Sequence, residues 1–180
     1  MAIRICCAYR TISTEGVMAG IPPIELLIQE RREKYTGVDS ATARTNLMAR
    51  WQDKWSHGTY GRWTYRLIPN IQAWIDKPYG EVDYFLTQTL SGHGCFRKYL
   101  YDWRRAETDA CRYCGAQDDA EHTLFVCSNW NEVQQIYTRE TRRPFNAVNM
   151  TADLISMEEN WRCAYRAVRK IIESKERDER

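Results

Sequence analysis

The chain has 180 residues, of which 43% are hydrophobic and 28% charged, and its mean hydropathy is −0.65. This composition excludes disorder along the whole length and supplies enough apolar residues for a core. The net charge of +2, from 26 basic and 24 acidic residues, does not by itself indicate a nucleic-acid partner. The distribution of charge therefore has to decide that question.

Basic residues are concentrated in the middle third of the chain. Residues 44–105 contain ten Lys or Arg and five Asp or Glu. No apolar run approaches the roughly 20 residues that a membrane span needs, and the N-terminus lacks the features of a signal peptide. We therefore expect an intracellular protein with no membrane partner.

The hydrophobic pattern predicts a mostly α protein. The apolar pattern at residues 1–13 is too short to assign. Helices are expected at about 24–35, at 82–90, at 96–103 and at 130–139, and a further helix carries Leu47 and Trp55 and ends near His57. Leu154, Trp161, Val168 and Ile172 share one face of a single long helix that reaches the C-terminus. Because its last ten residues are polar apart from two Ile, we expect that end to fray.

Three of the seven cysteines follow a pattern typical of metal sites. Cys111, Cys114, His122 and Cys127 have the spacing C-x2-C-x7-H-x4-C. An odd number of cysteines in a chain with no secretion signal favours thiols kept for metal over a disulfide framework. Gly115, directly after the second cysteine, supplies the backbone angles that a tight Cys-x2-Cys turn needs.

The four residues predict one structural zinc ion per chain. Four protein ligands complete a tetrahedron and leave no open position for a catalytic water. Cys95 and His93 are alternative fourth ligands, but His122 closes the smaller ring. Asp118 and Asp119 lie in the polar loop between the ligands, where we expect a solvated turn.

Four stretches and the cysteine pattern together resemble a known family. The stretches are residues 4–13 (RICCAYRTIS), 19–24 (AGIPPI), 61–69 (GRWTYRLIP) and 84–97 (YFLTQTLSGHGCFR). In this order, followed by the cysteine pattern, they resemble the C-terminal region of insect non-long-terminal-repeat (LINE-like) retrotransposon polyproteins of the type I ribosomal-DNA-inserting class. The Cys-Cys-His-Cys order is also similar to the zinc knuckles of retroviral nucleocapsids.

The resemblance implies a place in a larger protein. In that family an endonuclease nicks chromosomal DNA and a reverse transcriptase copies the element's RNA from the nick. This chain would lie downstream of the polymerase palm, with element RNA, target DNA and the upstream reverse transcriptase domain as partners, in the nucleus at the site of integration. A polymerase centre needs carboxylates for two metal ions, and the sole Asp-Asp pair lies in the cysteine pattern, so we expect no catalytic residue.

Cationic and aromatic side chains near the cysteines are candidates for nucleic-acid binding. Cations hold phosphates and aromatic faces stack on bases. The candidates are Arg62, Trp63, Arg66, Arg97, Lys98, Arg104, Arg105, Arg112 and Tyr113. For most aromatic residues a place in the core is the more frequent outcome, and Trp51, Trp55 and Trp161 fit helical core stripes.

These observations predict three regions. Residues 1–105 form a helical, thumb-like and basic linker region, residues 106–130 the knuckle segment, and residues 131–180 a C-terminal helical extension. The predicted function is binding of template RNA and target DNA in target-primed reverse transcription. The alternative is a zinc-stabilised protein-interaction module with no nucleic-acid role.

Overall fold

The computed structural model describes residues 15–179, and it confirms a mostly α fold. No strand occurs in this part of the chain, where one isolated antiparallel bridge joins Ala110 and Gln117. The unassigned pattern at residues 1–13 lies outside the described residues. Every described helix is too short or too polar to cross a lipid bilayer.

The helices follow the sequence in a regular order. Their bounds are α1 Glu15–Met18, α2 Ile24–Tyr35, α3 Ser40–His57, α4 Arg62–Leu67, α5 Ile71–Asp76, α6 Tyr84–Ser91, α7 Arg97–Asp102, α8 Asn131–Thr141, α9 Ala147–Ser156 and α10 Glu158–Glu179. Between α7 and α8, a π-helical turn covers His122–Val126 and a 3-10 turn covers Ser128–Trp130.

Short polar side chains begin several of these helices. Asp39, Asn70, Asp83 and Asn146 each accept a hydrogen bond from a backbone N–H in the first turn that follows. Such a cap satisfies a donor that has no partner within the helix, and it is worth about 1 kcal/mol. The local sequence therefore sets where α3, α5, α6 and α9 begin.

Helix α10 lies at the centre of the packing. It contacts α6, α8, α9 and the π-helical turn. Its apolar stripe is buried, with Val168, Ile171 and Ile172 at no residual exposure. Residues from all three predicted regions therefore pack on one helix, and the three-part division itself stays a prediction.

The predicted single C-terminal helix is wrong in one respect, because it is two helices. Met157 is extended, with φ −158° and ψ 157°, and separates α9 from α10. The reversal lets α9 pack against α10, and Leu154 is buried on α9. Burial of both apolar faces against each other is the physical reason for the break.

The expectation that the last ten residues fray is also wrong for residues 171–179. Helix α10 continues to Glu179, and Lys175 in its last turns is completely buried. A buried ion pair with Asp118 holds this end of the helix. The predicted core positions Trp51, Trp55 and Trp161 are buried, as expected.

Candidate metal centre and nucleic-acid interface

The structure brings the four predicted ligands together. The Sγ atoms of Cys111 and Cys127 are 3.8 Å apart, and Cys114 Sγ is 3.2 Å from His122 Nε2. All four ligand atoms lie within 4.8 Å of one another. A tetrahedral zinc ion with Zn–S bonds of about 2.3 Å separates two sulfurs by about 3.8 Å. The donor set and its spacing therefore fit a zinc ion.

The backbone of the Cys-x2-Cys turn is held by its own hydrogen bonds. The N–H of Gly115 donates to the carbonyl of Cys111 (2.9 Å), and the N–H of Cys111 donates to Ala116 (2.7 Å). Gly115 has φ +78°, and a Cβ there would meet no atom within 4 Å. The requirement for glycine is therefore conformational and not steric.

The π-helical turn places the other two ligands. The N–H of Cys127 donates to the carbonyl of His122 (2.8 Å), so that these ligands lie at the two ends of one turn. The N–H of His122 donates to Asp119 Oδ1 (2.8 Å), which fixes the start of the turn. Both turns are thus shaped by the polypeptide itself.

The thiols differ in their acidity. The backbone N–H of Ala116 lowers the pKa of the Cys114 thiol. Burial raises the pKa of the Cys127 thiol to about 12, so that without a cation it keeps its proton at neutral pH. Because zinc binds the thiolate, loading the site releases protons.

Neither alternative ligand belongs to this cluster. Cys95 is buried, and its N–H donates to Gln88 Oε1 (2.9 Å). The ring of His93 instead stacks on Tyr99, with 4.7 Å between centroids. Between them, a Cβ on Gly94 would lie 2.0 Å from Gln88 Oε1, so this loop accepts only glycine there.

Asp118 is not part of a solvated turn, and that expectation is wrong. Its carboxylate is completely buried and accepts hydrogen bonds from Thr123 Oγ1 (2.5 Å), the N–H of Arg97 (2.9 Å) and Lys175 Nζ (2.6 Å). A buried charge needs such partners, because desolvation otherwise costs several kcal/mol. Asp118 thus joins the knuckle segment to α7 and α10.

Lys175 is a structural residue that the sequence-based analysis missed. Burial disfavours its ammonium, but Asp118 and Glu179 outweigh that effect and hold the pKa of Lys175 above its usual value. Lys175 follows Ile171 and Ile172 at helical spacing, on the buried stripe of α10. This helical spacing is the sequence feature that could have predicted the burial of Lys175.

Three predicted nucleic-acid residues are paired with the C-terminal end of α10. Arg97 is buried and lies 3.1 Å from Glu179. Arg112 Nε is 3.2 Å from the same carboxylate, and the hydroxyl of Tyr113 donates to Asp178 (2.5 Å). These side chains dock the Cys-x2-Cys turn on α10.

Three more candidates have partners near α4. Arg62 donates to three carbonyl oxygens at the end of α3 and in the turn after it. Trp63 Nε1 donates to the carbonyl of Thr89 (2.8 Å). Arg66 makes two hydrogen bonds, of 2.7 and 2.5 Å, to the carboxylate of Glu121.

The remaining candidates lie on the surface. Lys98 pairs with a carboxylate one turn further along α7, at 2.9 Å. Arg104 and Arg105 are exposed, and no side-chain hydrogen bond or ion pair joins either to residues 15–179. Trp103 and Tyr101 beside them are 55% and 49% exposed. We call residues 101–105 the Trp103 surface.

The end of α7 orients this surface. Arg104 has φ 55°, a left-handed conformation that is uncommon for a residue with a Cβ. The N–H of Arg104 donates to Tyr101 (2.8 Å) and that of Arg105 to Leu100 (2.7 Å). These bonds close the last turn of the helix and project the following side chains away from it.

Comparison with known proteins shows that the chain is homologous to a region of retrotransposon polyproteins. It is 26% identical over 183 aligned positions, covering 88% of the chain, to a retrovirus-related Pol polyprotein from the type-1 retrotransposable element R1 4 of Nasonia vitripennis. It is 27% identical, over 74% of the chain, to a 115 kDa protein in the type-1 retrotransposable element R1DM of Drosophila melanogaster. The homologues are thus of the insect R1 type-1 class, which confirms the predicted resemblance.

A further similar protein is the Pol polyprotein of the element R1 2 of Nasonia vitripennis, at 27% identity over 48% of the chain. The chain spans 47%, 15% and 21% of the lengths of these three relatives, that is, about half or less. No protein-family model and no solved structure matches the chain.

Proposed function

We propose that this chain is a zinc-stabilised, single-strand-binding region of a type-1 retrotransposon polyprotein. The observation that carries the proposal is the Trp103 surface, an exposed aromatic pair beside two arginines that lack acidic partners in the described chain. Homology to the R1 polyproteins supplies the context.

The zinc ion would have a structural role. Cys111, Cys114, His122 and Cys127 would hold it, and the ion would cross-link the Cys-x2-Cys turn and the π-helical turn. Four protein ligands leave no coordination position for a substrate. The described residues of the segment then act as a fixed support for α7 and the surface after it.

The Trp103 surface has the chemistry that single strands require. Unpaired guanidinium groups attract phosphates without first breaking an ion pair, unlike those of Arg66, Arg97 and Arg112. A base stacked on an exposed aromatic ring contributes roughly 1–3 kcal/mol. Lys98, one turn earlier on α7, is paired with Asp102, so Arg104 and Arg105 carry the unpaired positive charge of this surface.

In the polyprotein, this region would hold element RNA and target DNA during target-primed reverse transcription. Its partner in the same polyprotein would be the upstream reverse transcriptase domain, and it would act in the nucleus, at the site of integration. The names of the homologues support the retrotransposon context of this proposal.

Binding of a fluorescent single-stranded RNA at increasing salt tests the proposal. We expect affinity to fall as salt rises, because phosphate contacts release counterions. The double variant Arg104→Ala/Arg105→Ala should weaken binding and lower the slope of log K against log salt by about one per arginine.

The control is Arg162→Ala/Arg166→Ala, which removes the same charge from an exposed face of α10. Both of its arginines already pair with glutamates. Equal weakening by the two double variants, or no RNA binding even in dilute buffer, would contradict the proposal and favour the protein-interaction module.

A further inference from the structure

A cavity of about 250 Å³ lies where the Gly-His-Gly loop, α7 and the knuckle segment meet. Its walls include Trp63, His93, Lys98 and Tyr99, with Glu121 on the side of the knuckle segment. It is smaller than the roughly 300–1,000 Å³ of pockets for drug-sized ligands. The space suits a single heterocyclic ring and excludes a duplex.

Aromatic rings connect this cavity with the Trp103 surface. The His93 and Tyr99 rings are stacked, with planes 21° apart, and the Tyr99 and Trp103 centroids are 6.3 Å apart. The series therefore runs from a cavity wall to an indole that is more than half exposed. A strand lying on Arg104 and Arg105 would have its bases beside these rings.

A histidine on the cavity wall has hydrogen-bonding capacity that the described protein does not use. His93 Nδ1 is buried and has no hydrogen-bond partner among residues 15–179. Burial lowers the pKa of His93, so the imidazole is neutral at pH 7 and has one donor and one acceptor nitrogen. A buried polar atom without a partner requires an explanation, and a ligand atom that it meets when the imidazole turns toward the cavity is one.

The charged groups on the walls limit what the ligand can be. Asp102, Asp119 and Glu121 line the cavity, with Lys98 as its basic residue. Lys98 pairs with Asp102 and Arg66 binds Glu121, so Asp119 is the wall carboxylate without a cationic partner among residues 15–179. The charge of Asp119 repels a phosphate, and the acceptor nitrogen of a neutral His93 can accept a hydrogen bond from an amino group, such as N4 of cytosine. The phosphate would therefore remain outside, next to the cations of the Trp103 surface, while the ring with its amino group enters.

We propose that the cavity binds one unstacked nucleobase with an exocyclic amino group, as part of a single strand or of a free nucleotide. This inference rests on the proposed function and specifies where a base is read. It assigns roles to His93 and Tyr99, which the sequence alone did not place among the binding residues, and it joins Trp63 and Lys98 in one site.

Binding of the whole chain to oligo(rC) and oligo(rU), each of about ten nucleotides, tests the inference. The two have equal charge, so a difference in affinity reports on the base. We expect oligo(rC) to bind roughly five-fold tighter, the ratio that one net hydrogen bond gives. His93→Phe keeps a ring against Tyr99 but removes the nitrogens, and should abolish the difference while leaving the salt dependence unchanged. His57→Phe, at an exposed histidine, should leave the difference intact.

Competition with cytidine and uridine monophosphates distinguishes the two sources of the base. Displacement by the cytidine nucleotide alone shows that a free nucleotide is sufficient. If neither monophosphate displaces the RNA and the preference for oligo(rC) is retained, the site binds a base only as part of a strand. Photocrosslinking of the unmodified chain to oligo(rC) is a readout that needs no variant, and it should label His93, Tyr99 or Trp103.

Equal affinity for the two oligonucleotides, a preference that persists in His93→Phe, or crosslinks confined to other residues would overturn the inference. Salt-dependent binding in those cases would leave the proposed function standing. Absence of all binding in dilute buffer would overturn both proposals.

Discussion

Two regions of this protein are stabilised in different ways. The helical body, residues 15–102 and 131–179, buries apolar side chains such as Leu47, Leu86, Leu154 and Ile172 with no residual exposure. In the knuckle segment, residues 106–130, the buried groups include three of the four proposed metal ligands and the charged Asp118, together with Leu124 and Trp130. The body relies on the removal of apolar surface from water, and the segment relies on coordination and ion pairing.

The comparison separates what each region needs in order to fold. A loss of packing in the body lowers stability in proportion to the atoms removed. A loss of the ion should loosen the two ligand turns, because only Leu124, Trp130 and the polar contacts with α10 would then hold the segment on the body. The three predictions below test this difference, beginning with the largest effect.

Cys114→Ser should reduce bound zinc from one per chain to nearly zero. Structural zinc contributes roughly 10–16 kcal/mol of apparent binding free energy in small zinc modules, and a serine hydroxyl is a poor ligand. Amide hydrogen exchange should increase across residues 106–130, while α3 and α6 stay protected. The control is Cys163→Ser on α10, outside the cluster, which should keep its zinc; full zinc in Cys114→Ser would refute the ligand set.

Lys175→Met should lower the free energy of unfolding by about 3–5 kcal/mol, because the charge of Asp118 is left buried without its ammonium partner. Urea unfolding measures the change. Lys170→Met, at an exposed lysine of the same helix, is the matched control. The double variant Asp118→Asn/Lys175→Met should recover part of the loss, and an unchanged midpoint in Lys175→Met would contradict a buried pair.

Ile71→Val should have the smallest effect, about 0.5–1.5 kcal/mol, because it removes one methylene group from a fully buried site in the body. Zinc content should be unchanged, since α5 contributes no ligand. Ile24→Val, at a residue that is 69% exposed, should not shift the thermal midpoint. If Ile71→Val also released zinc, the two regions would not be separable.

Local signals allowed much of the fold to be predicted. The predicted helix at about 24–35 matches α2. Pro69-Asn70 separates α4 from α5, because proline interrupts a helix and the Asn70 side chain caps the next one. The break at Met157 was not predictable in this way. No Pro or Gly marks it, and the apolar stripe continues across it, so only the packing of α9 on α10 shows the reversal.

The candidate site was predictable where it depends on spacing. Cys111, Cys114, His122 and Cys127 follow from the motif, whereas the partners of the cations do not. Arg97 and Glu179 are 82 residues apart in the chain, and no short pattern indicates such a pair. For the same reason, the cavity between the Gly-His-Gly loop and the knuckle segment becomes visible only in three dimensions.

The ion pair between Asp118 and Lys175 has a consequence for synthesis on the ribosome. The two residues are 57 positions apart. At roughly 5–20 residues per second, Asp118 is made about 3–11 s before its partner lysine exists. Cys111 and Cys114 are translated before Asp118, and His122 and Cys127 soon after it, so all four proposed ligands exist before Lys175. The ion can therefore be captured first, and the last helix then docks on a turn that is already formed.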